Sequence, residues 1–317
     1  MSGQDRNGGA LNGPAISDQA TSGLQIRGLT LELGAKNDVK RILRGIDIDV
    51  PAGSITGLAG ESGSGKTMTG LAICGLQPAG SRLGGSIAYE GPRDRVDNLL
   101  TIGSRAMNAL RGRDIGMIFQ DPTASLHPMI TIEHQLTDGM RHHLRVSKAE
   151  ARSRAIALLE RVKVPDPKTA LTKYPHQFSG GQLQRIAIAI ALACEPSVLI
   201  ADEPTTALDV TVQAGILRLL RELCDSLDLA ILLVTHDLGV MSALADTVTV
   251  MRYGEVVEQG TRFQVIREPT SAYTRSLIDA LPAAWTPSGS QSNGSLSDES
   301  LSDESLSNDS QSNGTDS

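Results

Sequence analysis

Residues 60–67 read Gly60-Glu61-Ser62-Gly63-Ser64-Gly65-Lys66-Thr67, which matches the phosphate-binding pattern GxxxxGK[ST]. The strand-like run Ser54–Ala59 precedes this phosphate loop and a helix-like run begins at Lys66, so the motif stands in the context that it requires. Its glycines let backbone N–H groups approach phosphate oxygens, and the following helix adds the positive end of its dipole. Lys66 brings a positive charge to the β- and γ-phosphates, and the Thr67 hydroxyl can bind Mg²⁺. The sequence therefore predicts a nucleoside-triphosphate site here.

A second chemical signal is the run Val198-Leu-Ile-Ala-Asp202-Glu203, an apolar strand that ends in two carboxylates. Burying Asp202 without a partner would be costly, and an Mg²⁺ ion held jointly with Thr67 would compensate its charge. Glu203, one residue later, is placed to orient or deprotonate a water molecule that attacks the γ-phosphate. Taken alone, such a pair could equally cap a helix. Together with the phosphate loop, it favours the catalytic interpretation.

Strand-like and helix-like runs alternate through the body of the chain, which predicts an α/β fold. The runs VLIAD and LAILLVT are apolar without alternation, as expected for parallel strands that are covered on both faces. Residues 121–180 contain helix-like runs and no convincing strand, and we interpret them as an inserted helical lobe. The strand-like runs are 24–33, 46–50, 54–59, 115–119, 198–201, 230–234 and 247–251, and the helix-like runs are 66–74, 132–144, 148–162, 182–194, 210–224 and 238–245.

The composition excludes several classes of protein. Aromatic residues make up 3% of the chain, which argues against a stacking surface for single-stranded nucleic acid, so no nucleic-acid partner is expected. Three cysteines without CxxC spacing exclude a disulfide framework and a cysteine-rich metal site. Because there is no apolar run of about 18 residues and no signal-peptide pattern, we expect a soluble intracellular chain. The net charge is −7, but six acidic and no basic residues follow Trp285, so the body is nearly neutral.

A third motif, Ser179-Gly180-Gly181-Gln182, precedes a helix-like run that is apolar almost all round. This signature segment could present a second anion-binding helix N-terminus. At this point the sequence resembles the ATP-binding cassette (ABC) ATPases, in which such a segment closes on ATP held by the phosphate loop of a second subunit. The resemblance implies an α/β fold of the ABC-type P-loop NTPase class, with a RecA-like mixed-sheet core, an inserted helical subdomain and a short C-terminal extension.

The same resemblance implies roles for individual residues. Gln120 is similar to the glutamine that senses the γ-phosphate and Mg²⁺, and His236 to the switch histidine that contacts the γ-phosphate. Residues 206–209, Thr-Ala-Leu-Asp, resemble the loop that contacts the other subunit of a dimer. The expected catalytic residues are Lys66, Gln120, Glu203 and His236, the expected Mg²⁺ ligands are Thr67, Gln120 and Asp202, and the expected ATP-binding residues are those of the phosphate loop and the signature segment.

One departure from the family concerns the nucleotide base. Family members place an aromatic residue upstream of the phosphate loop, where it stacks on adenine. Leu33 stands at that position, and no aromatic residue occurs between residues 1 and 88. Stacking contributes about 1–3 kcal/mol per base, so the sequence predicts a weakened contact with the base but no change in hydrolysis.

A finer resemblance is to the ATPase subunits of bacterial dipeptide, oligopeptide and nickel importers, through residues 119–128, 201–213, 235–240 and 273–282. It implies a subunit that binds and hydrolyses ATP to energise a membrane importer of peptides, or of nickel or other metal chelates. The implied partners are integral-membrane permease subunits, a second ABC ATPase subunit and, indirectly, an extracytoplasmic solute-binding protein. A heterodimer of ATPase subunits is preferred over a homodimer. The implied location is peripheral, on the cytoplasmic face of the bacterial inner membrane.

Two other functions stay open. One is an ATPase of a soluble enzyme assembly, since accessory subunits of the carbon–phosphorus lyase system look similar. The other is a regulatory nucleotide-binding module without turnover, and the presence of Glu203 and His236 argues against it.

The chain divides into four expected parts. Residues 1–22 form a disordered N-terminal segment, and residues 23–265 form the ABC ATPase domain with its helical subdomain at 121–180. Residues 266–285 resemble the C-terminal extension of the oligopeptide-importer type. Residues 286–317 form a disordered, acidic, serine-rich tail, which cannot bury enough apolar surface to fold.

Overall fold

Two β-sheets and a set of helices make up the computed structural model, which describes residues 22–34, 38–206 and 208–280. The strands are β1 (Gly23–Leu33), β2 (Lys40–Pro51), β3 (Ile55–Ala59), β4 (Arg82–Glu90), β5 (Arg95–Val96), β6 (Ile115–Ile118), β7 (Val198–Asp202), β8 (Ala230–Val234), β9 (Thr247–Arg252) and β10 (Glu255–Thr261). The α-helices are α1 (Lys66–Ile73), α2 (Ser104–Leu110), α3 (Pro122–Ser125), α4 (Ile132–His143), α5 (Lys148–Arg161), α6 (Pro167–Ala170), α7 (Gly180–Leu192), α8 (Val210–Leu227), α9 (Leu238–Leu244), α10 (Arg262–Arg267) and α11 (Ala272–Asp279). The termini that the sequence predicts to be disordered, 1–22 and 286–317, lie outside the described residues apart from Ser22.

The larger sheet has the strand order β10-β9-β3-β8-β7-β6, and the strands from β9 to β6 run parallel. Its central strands have no polar face. Leu199 and Leu233 lie in one hydrophobic core, while Ile200 and Leu232 lie in the other. Because both faces are covered, an unbroken apolar run is favoured over alternation. The predicted α/β fold with buried parallel strands is confirmed.

The smaller sheet is antiparallel, with the order β2-β1-β4-β5. Strand β2 begins at Lys40, well before the run predicted at 46–50, and β4 and β5 are absent from the predicted set. The two glycines of β4 conceal it in the sequence. At Gly85, φ is +87° and a Cβ would lie 2.3 Å from the backbone oxygen of Gly28, where the register with β1 shifts. This glycine marks a bulge that lets two backbones approach closely.

Helices α3 to α7 lie between β6 and β7, along the segment interpreted as a helical lobe. Leu136 of α4, Ala155 of α5 and Ile186 of α7 are buried in the core that also covers one face of the larger sheet. All residues between Ile118 and Val198 are described, and none of them forms a strand. Within the described ranges, no helix has the length and apolar character needed to cross a bilayer.

Candidate nucleotide site

Four motif segments meet at one edge of the larger sheet. The phosphate loop follows β3, Gln120 follows β6, Asp202 ends β7 and His236 follows β8. These four strands are neighbours and run parallel, so their carboxyl ends lie at the same edge. The sheet thereby brings together side chains that are far apart in the sequence.

The phosphate loop folds its backbone around the side chain of Lys66. The buried Nζ atom donates hydrogen bonds to the carbonyl oxygens of Gly60 at 2.7 Å and Glu61 at 2.9 Å. At Gly60, φ is +141° and a Cβ would lie 2.2 Å from the backbone oxygen of Met251, so a larger residue does not fit. The loop is therefore held both by close backbone packing and by its own lysine.

Burial dominates the electrostatics of the two charged groups beneath the loop. It lowers the pKa of Lys66, although the negative charges of Glu203, Asp202 and Glu61 oppose this shift. Asp202 is only 3% exposed, and its Oδ1 accepts a hydrogen bond from the Thr67 hydroxyl at 3.2 Å. Burial raises the pKa of Asp202 despite that hydrogen bond. A buried carboxylate of this kind favours a nearby cation.

The surroundings of Asp202 fit a magnesium ion. Mg²⁺ prefers oxygen ligands and is usually held by one or two carboxylates together with substrate phosphates. The Asp202 carboxylate and the Thr67 hydroxyl supply such oxygens beside the phosphate loop, and Gln120 follows the neighbouring strand end. Among the described residues, no group of three or more His, Cys, Asp and Glu side chains could hold a metal on its own. The donors therefore suit an ion that arrives with a nucleotide.

Glu203 is the centre of a polar cluster with Gln120, Thr206 and His236, which we call the Glu203 cluster. Its Oε2 accepts hydrogen bonds from Gln120 Nε2 at 3.1 Å and from the Thr206 hydroxyl at 2.8 Å. Its Oε1 lies 2.9 Å from His236 Nδ1, and an ionised carboxylate can only accept, so this ring nitrogen donates. The backbone of Glu203 has φ +46°, a conformation that non-glycine residues rarely adopt. Three hydrogen-bond partners thus fix the carboxylate of a residue whose backbone is strained.

Burial and hydrogen bonding shift the pKa of Glu203 in opposite directions. Burial by itself raises it, but the hydrogen bonds from His236 and Thr206, helped by the positive charge of Lys66, outweigh burial and hold the pKa below its ordinary value. Glu203 is therefore ionised around neutral pH and can accept a hydrogen bond from a water molecule.

An open cleft of about 470 Å³ runs beside the phosphate loop and reaches Gln120 and Glu203. Sequence reasoning missed much of its remaining lining, which includes Lys40, Arg41 and Arg44 of β2 and Tyr253 of the β9–β10 turn. The basic run KRILR and the Tyr-Gly pair could have indicated these groups. Leu33 is not among the residues that line the cleft, and it packs against the core beneath the smaller sheet. Cationic side chains along the cleft suit a polyanion such as a nucleoside triphosphate.

The signature segment lies apart from this cleft, since none of its four residues, all of them described, lines it. Ser179 caps α7 and accepts a hydrogen bond from the Gln182 N–H at 3.4 Å, while Gln182 Oε1 accepts one from the Ser179 N–H at 3.0 Å. Gly181 packs against α8, where a Cβ would lie 2.6 Å from Val212 Cγ1. Only one of the two segments predicted to bind ATP therefore lines this cleft.

Comparisons with known proteins agree with this geometry. A family model described as ABC transporter matches residues 43–206. The chain is 43% identical over 261 residues to the "Probable peptide ABC transporter ATP-binding protein y4tR" of Sinorhizobium fredii, which covers 82% of this chain and 76% of that protein. It is 41% identical over 261 residues to the dipeptide transport ATP-binding protein DppD of Bacillus subtilis, with 82% and 76% covered.

A solved structure extends the likeness to three dimensions. The dimeric structure of MJ0796, a bacterial ABC transporter cassette, is similar with a TM-score of 0.65 and 26% sequence identity, over 75% of this chain and 98% of that one. The residues that the family model matches include both the phosphate loop and Glu203. Its sequence, its fold and the residues at its nucleotide site together show that this chain belongs to the ABC transporter family.

Proposed function

We propose that the chain is the ATP-binding and ATP-hydrolysing subunit of a membrane importer that takes up peptides. The observation that carries the proposal is the juxtaposition of the phosphate loop and the Glu203 cluster at one edge of the sheet. A phosphate loop alone binds nucleotide, whereas a fixed and ionised carboxylate beside it provides a group that can activate water. The relatives named above are peptide and dipeptide transport proteins, which supports peptides over nickel or metal chelates as the cargo.

In this proposal, ATP binds along the cleft with its phosphates in the phosphate loop. Lys66 neutralises charge on the β- and γ-phosphates, as its position within the loop allows. Thr67, Asp202 and Gln120 would hold Mg²⁺, and the ion would supply positive charge beside the phosphates.

Glu203 orients the attacking water and accepts its proton. Gln120 and Thr206 hold one carboxylate oxygen and His236 the other, so the carboxylate is preorganised before substrate arrives. His236 also contacts the γ-phosphate in this proposal. Its side chain is 61% exposed, which leaves the ring accessible for such a contact.

A second ABC ATPase subunit completes the site in our proposal. The signature segment of each subunit closes on ATP held by the phosphate loop of the other, so two ATP molecules are bound at the interface. The separation of the signature segment from the cleft within one chain supports this arrangement. We propose a heterodimer, with residues 206–209 contributing to the contact between the two subunits.

The segment 121–135, which follows Gln120, is the proposed docking surface for the permease subunits. Met129 in this segment is 76% exposed, and an exposed, flexible apolar side chain suits contact with another protein. Docking there places the chain at the cytoplasmic face of the inner membrane, with a solute-binding protein acting indirectly from the other side. Movement of the helical lobe then transmits ATP-driven closure to the permease.

We also propose the division of the chain that the sequence indicates. Residues 23–265 are the ATPase domain, with the helical subdomain at 121–180, and residues 266–285 are a C-terminal extension, of which 281–285 lie outside the described residues. The segments 1–22 and 286–317 are proposed to have no part in ATP hydrolysis.

Uptake of labelled dipeptide tests this function. The chain is expressed together with the permease, second ATPase and solute-binding subunits of a peptide importer, and uptake is compared for wild type and Glu203→Gln. We expect the wild-type chain to copurify with the permease from membranes and to support uptake that the Glu203→Gln chain does not support. Normal ATP hydrolysis without permease copurification or peptide uptake would contradict the importer function.

A further inference from the structure

The C-terminal helix α11 contacts the phosphate loop through Tyr273. The hydroxyl of Tyr273 accepts a hydrogen bond from the backbone N–H of Glu61 at 3.2 Å. Tyr273 is 8% exposed, so its side chain is buried where it meets the phosphate loop. It lies outside residues 43–206, which match the family model, and none of the roles proposed above uses it. A side chain near the end of the described chain therefore reaches the nucleotide site.

Several contacts hold Tyr273 in place. The guanidinium of Arg252, at the end of β9, lies 4.5 Å from the centroid of its ring. Just before α11, the Glu258 carboxylate of β10 accepts hydrogen bonds from the N–H groups of Thr270 at 2.6 Å and Ser271 at 3.3 Å. Since β10 pairs with β9 and β9 pairs with β3, the hydroxyl is fixed relative to the strand that leads into the phosphate loop.

The hydrogen bond acts on the peptide unit that also holds Lys66. The N–H of Glu61 and the carbonyl of Gly60 belong to one peptide bond, which is planar. Tyr273 accepts from the N–H of this unit, while Lys66 Nζ donates to its carbonyl oxygen at 2.7 Å. Fixing the direction of the N–H therefore fixes the direction of the carbonyl, and with it the location of the ammonium group.

We propose that Tyr273 is a positioning residue for ATP binding, whose hydroxyl fixes the Gly60–Glu61 peptide plane and, through it, Lys66. The inference rests on the proposed function, because Lys66 acts there on the phosphates of ATP. A preorganised loop loses less conformational freedom when nucleotide binds. This gain is the same in the ground state and the transition state, so it lowers KM and Kd for ATP and leaves kcat unchanged.

The test compares Tyr273→Phe with a matched control, Tyr89→Phe, and measures Kd on the full chain and KM and kcat on the assembled transporter. The first variant keeps the ring against Arg252 and removes only the hydroxyl. Tyr89 is also buried, and its hydroxyl lies 2.8 Å from Ser197 Oγ in a different part of the molecule. One lost hydrogen bond predicts that Tyr273→Phe raises KM and Kd for ATP about three- to tenfold, with kcat within about twofold of wild type. Tyr89→Phe should leave all three values unchanged.

A double-mutant cycle with Lys66→Ala tests whether Tyr273 acts through the lysine. In the Lys66→Ala background, Tyr273→Phe should change the Kd for ATP less than it does in the wild-type background. An unchanged KM and Kd in Tyr273→Phe would overturn the inference, as would an equal shift in Tyr89→Phe or full additivity with Lys66→Ala. Failure of the wild-type chain to bind ATP is a different result, because it removes the proposed function itself.

Discussion

The Glu203 cluster and the signature segment are both polar motifs at the ends of secondary-structure elements, but only the first meets its partners within the chain. Glu203 contacts side chains that follow other strands of the larger sheet. Ser179 and Gln182, in contrast, bond to each other across the first turn of α7 and do not line the cleft. The difference supports our proposal that the water-activating part of the site is built inside one chain, while the part at α7 completes its role only against another chain.

The largest effect on ATP hydrolysis is expected at the Glu203 cluster, which meets its partners within the chain. Glu203→Gln removes the charge that, in our proposal, accepts the proton of water, so ATP hydrolysis should fall about 10²-fold or more while ATP binding is retained. Steady-state phosphate release and nucleotide titration measure the two quantities. Glu222→Gln is the matched control, because the Glu222 carboxylate forms a surface ion pair with Lys163 at 2.7 Å. Near-normal turnover in Glu203→Gln would remove this carboxylate from the mechanism.

A smaller effect is expected at the signature segment. Ser179 accepts an N-cap hydrogen bond from the N–H of Gln182, and Ser147 accepts one from the N–H of Glu150. Ser179→Ala and Ser147→Ala each remove one of these bonds, so each variant should lose about 1 kcal/mol of unfolding free energy. Only Ser179→Ala should also reduce hydrolysis in the assembled transporter, by about tenfold, since charge-assisted contacts to phosphate are stronger than neutral ones. Denaturant unfolding and ATPase assays measure both. Equal ATPase activity in the two variants would show that Ser179 acts only as a cap.

The cleft offers a finer comparison between two exposed aromatic residues. Tyr253 lines the cleft and is 68% exposed, whereas Phe263 of α10 is 55% exposed and is not among its lining residues. If the ring of Tyr253 contacts the base, Tyr253→Ala should weaken ATP binding about fivefold, the lower part of the range for base stacking. Phe263→Ala should leave the Kd for ATP unchanged. The same weakening in both variants would exclude a specific contact between Tyr253 and the base.

No effect is expected from the serine-rich tail. Deleting residues 286–317 removes a segment that we propose to have no part in ATP hydrolysis, so ATPase activity and assembly with the permease should be preserved. Size-exclusion chromatography and phosphate release check this. Loss of assembly on deletion would give the tail a role that its composition does not indicate.

The sequence predicted the parallel strands of the larger sheet well because they are buried on both faces, whereas the antiparallel edge strand β10 was missed because its residues are exposed or only partly buried. The run 230–234 is apolar at every position and forms β8 with the predicted bounds. Strand β4 was missed because Gly84 and Gly85 weaken the strand pattern at a bulge. Gln120, Glu203 and His236 were named from motifs as site residues, and the structure brings them together because they follow neighbouring strands. The contact of Thr206 with Glu203 was not predicted, since the motif of residues 206–209 indicated a contact with a second subunit. The contact between Tyr273 and Glu61 could not be predicted, because no local pattern relates residues that only tertiary packing brings together.

The central claim is that the α7 part of the site requires another chain. It is tested most directly by measuring the mass of the Glu203→Gln chain with and without ATP. Light scattering coupled to size-exclusion chromatography is run on this variant together with the second ATPase subunit, and Lys66→Ala in the same background serves as the control in which phosphate binding is weakened. We predict ATP-dependent association into a two-subunit complex, and no association for the Lys66→Ala control. A Glu203→Gln chain that binds ATP and stays monomeric, alone and with the second subunit, would contradict the account.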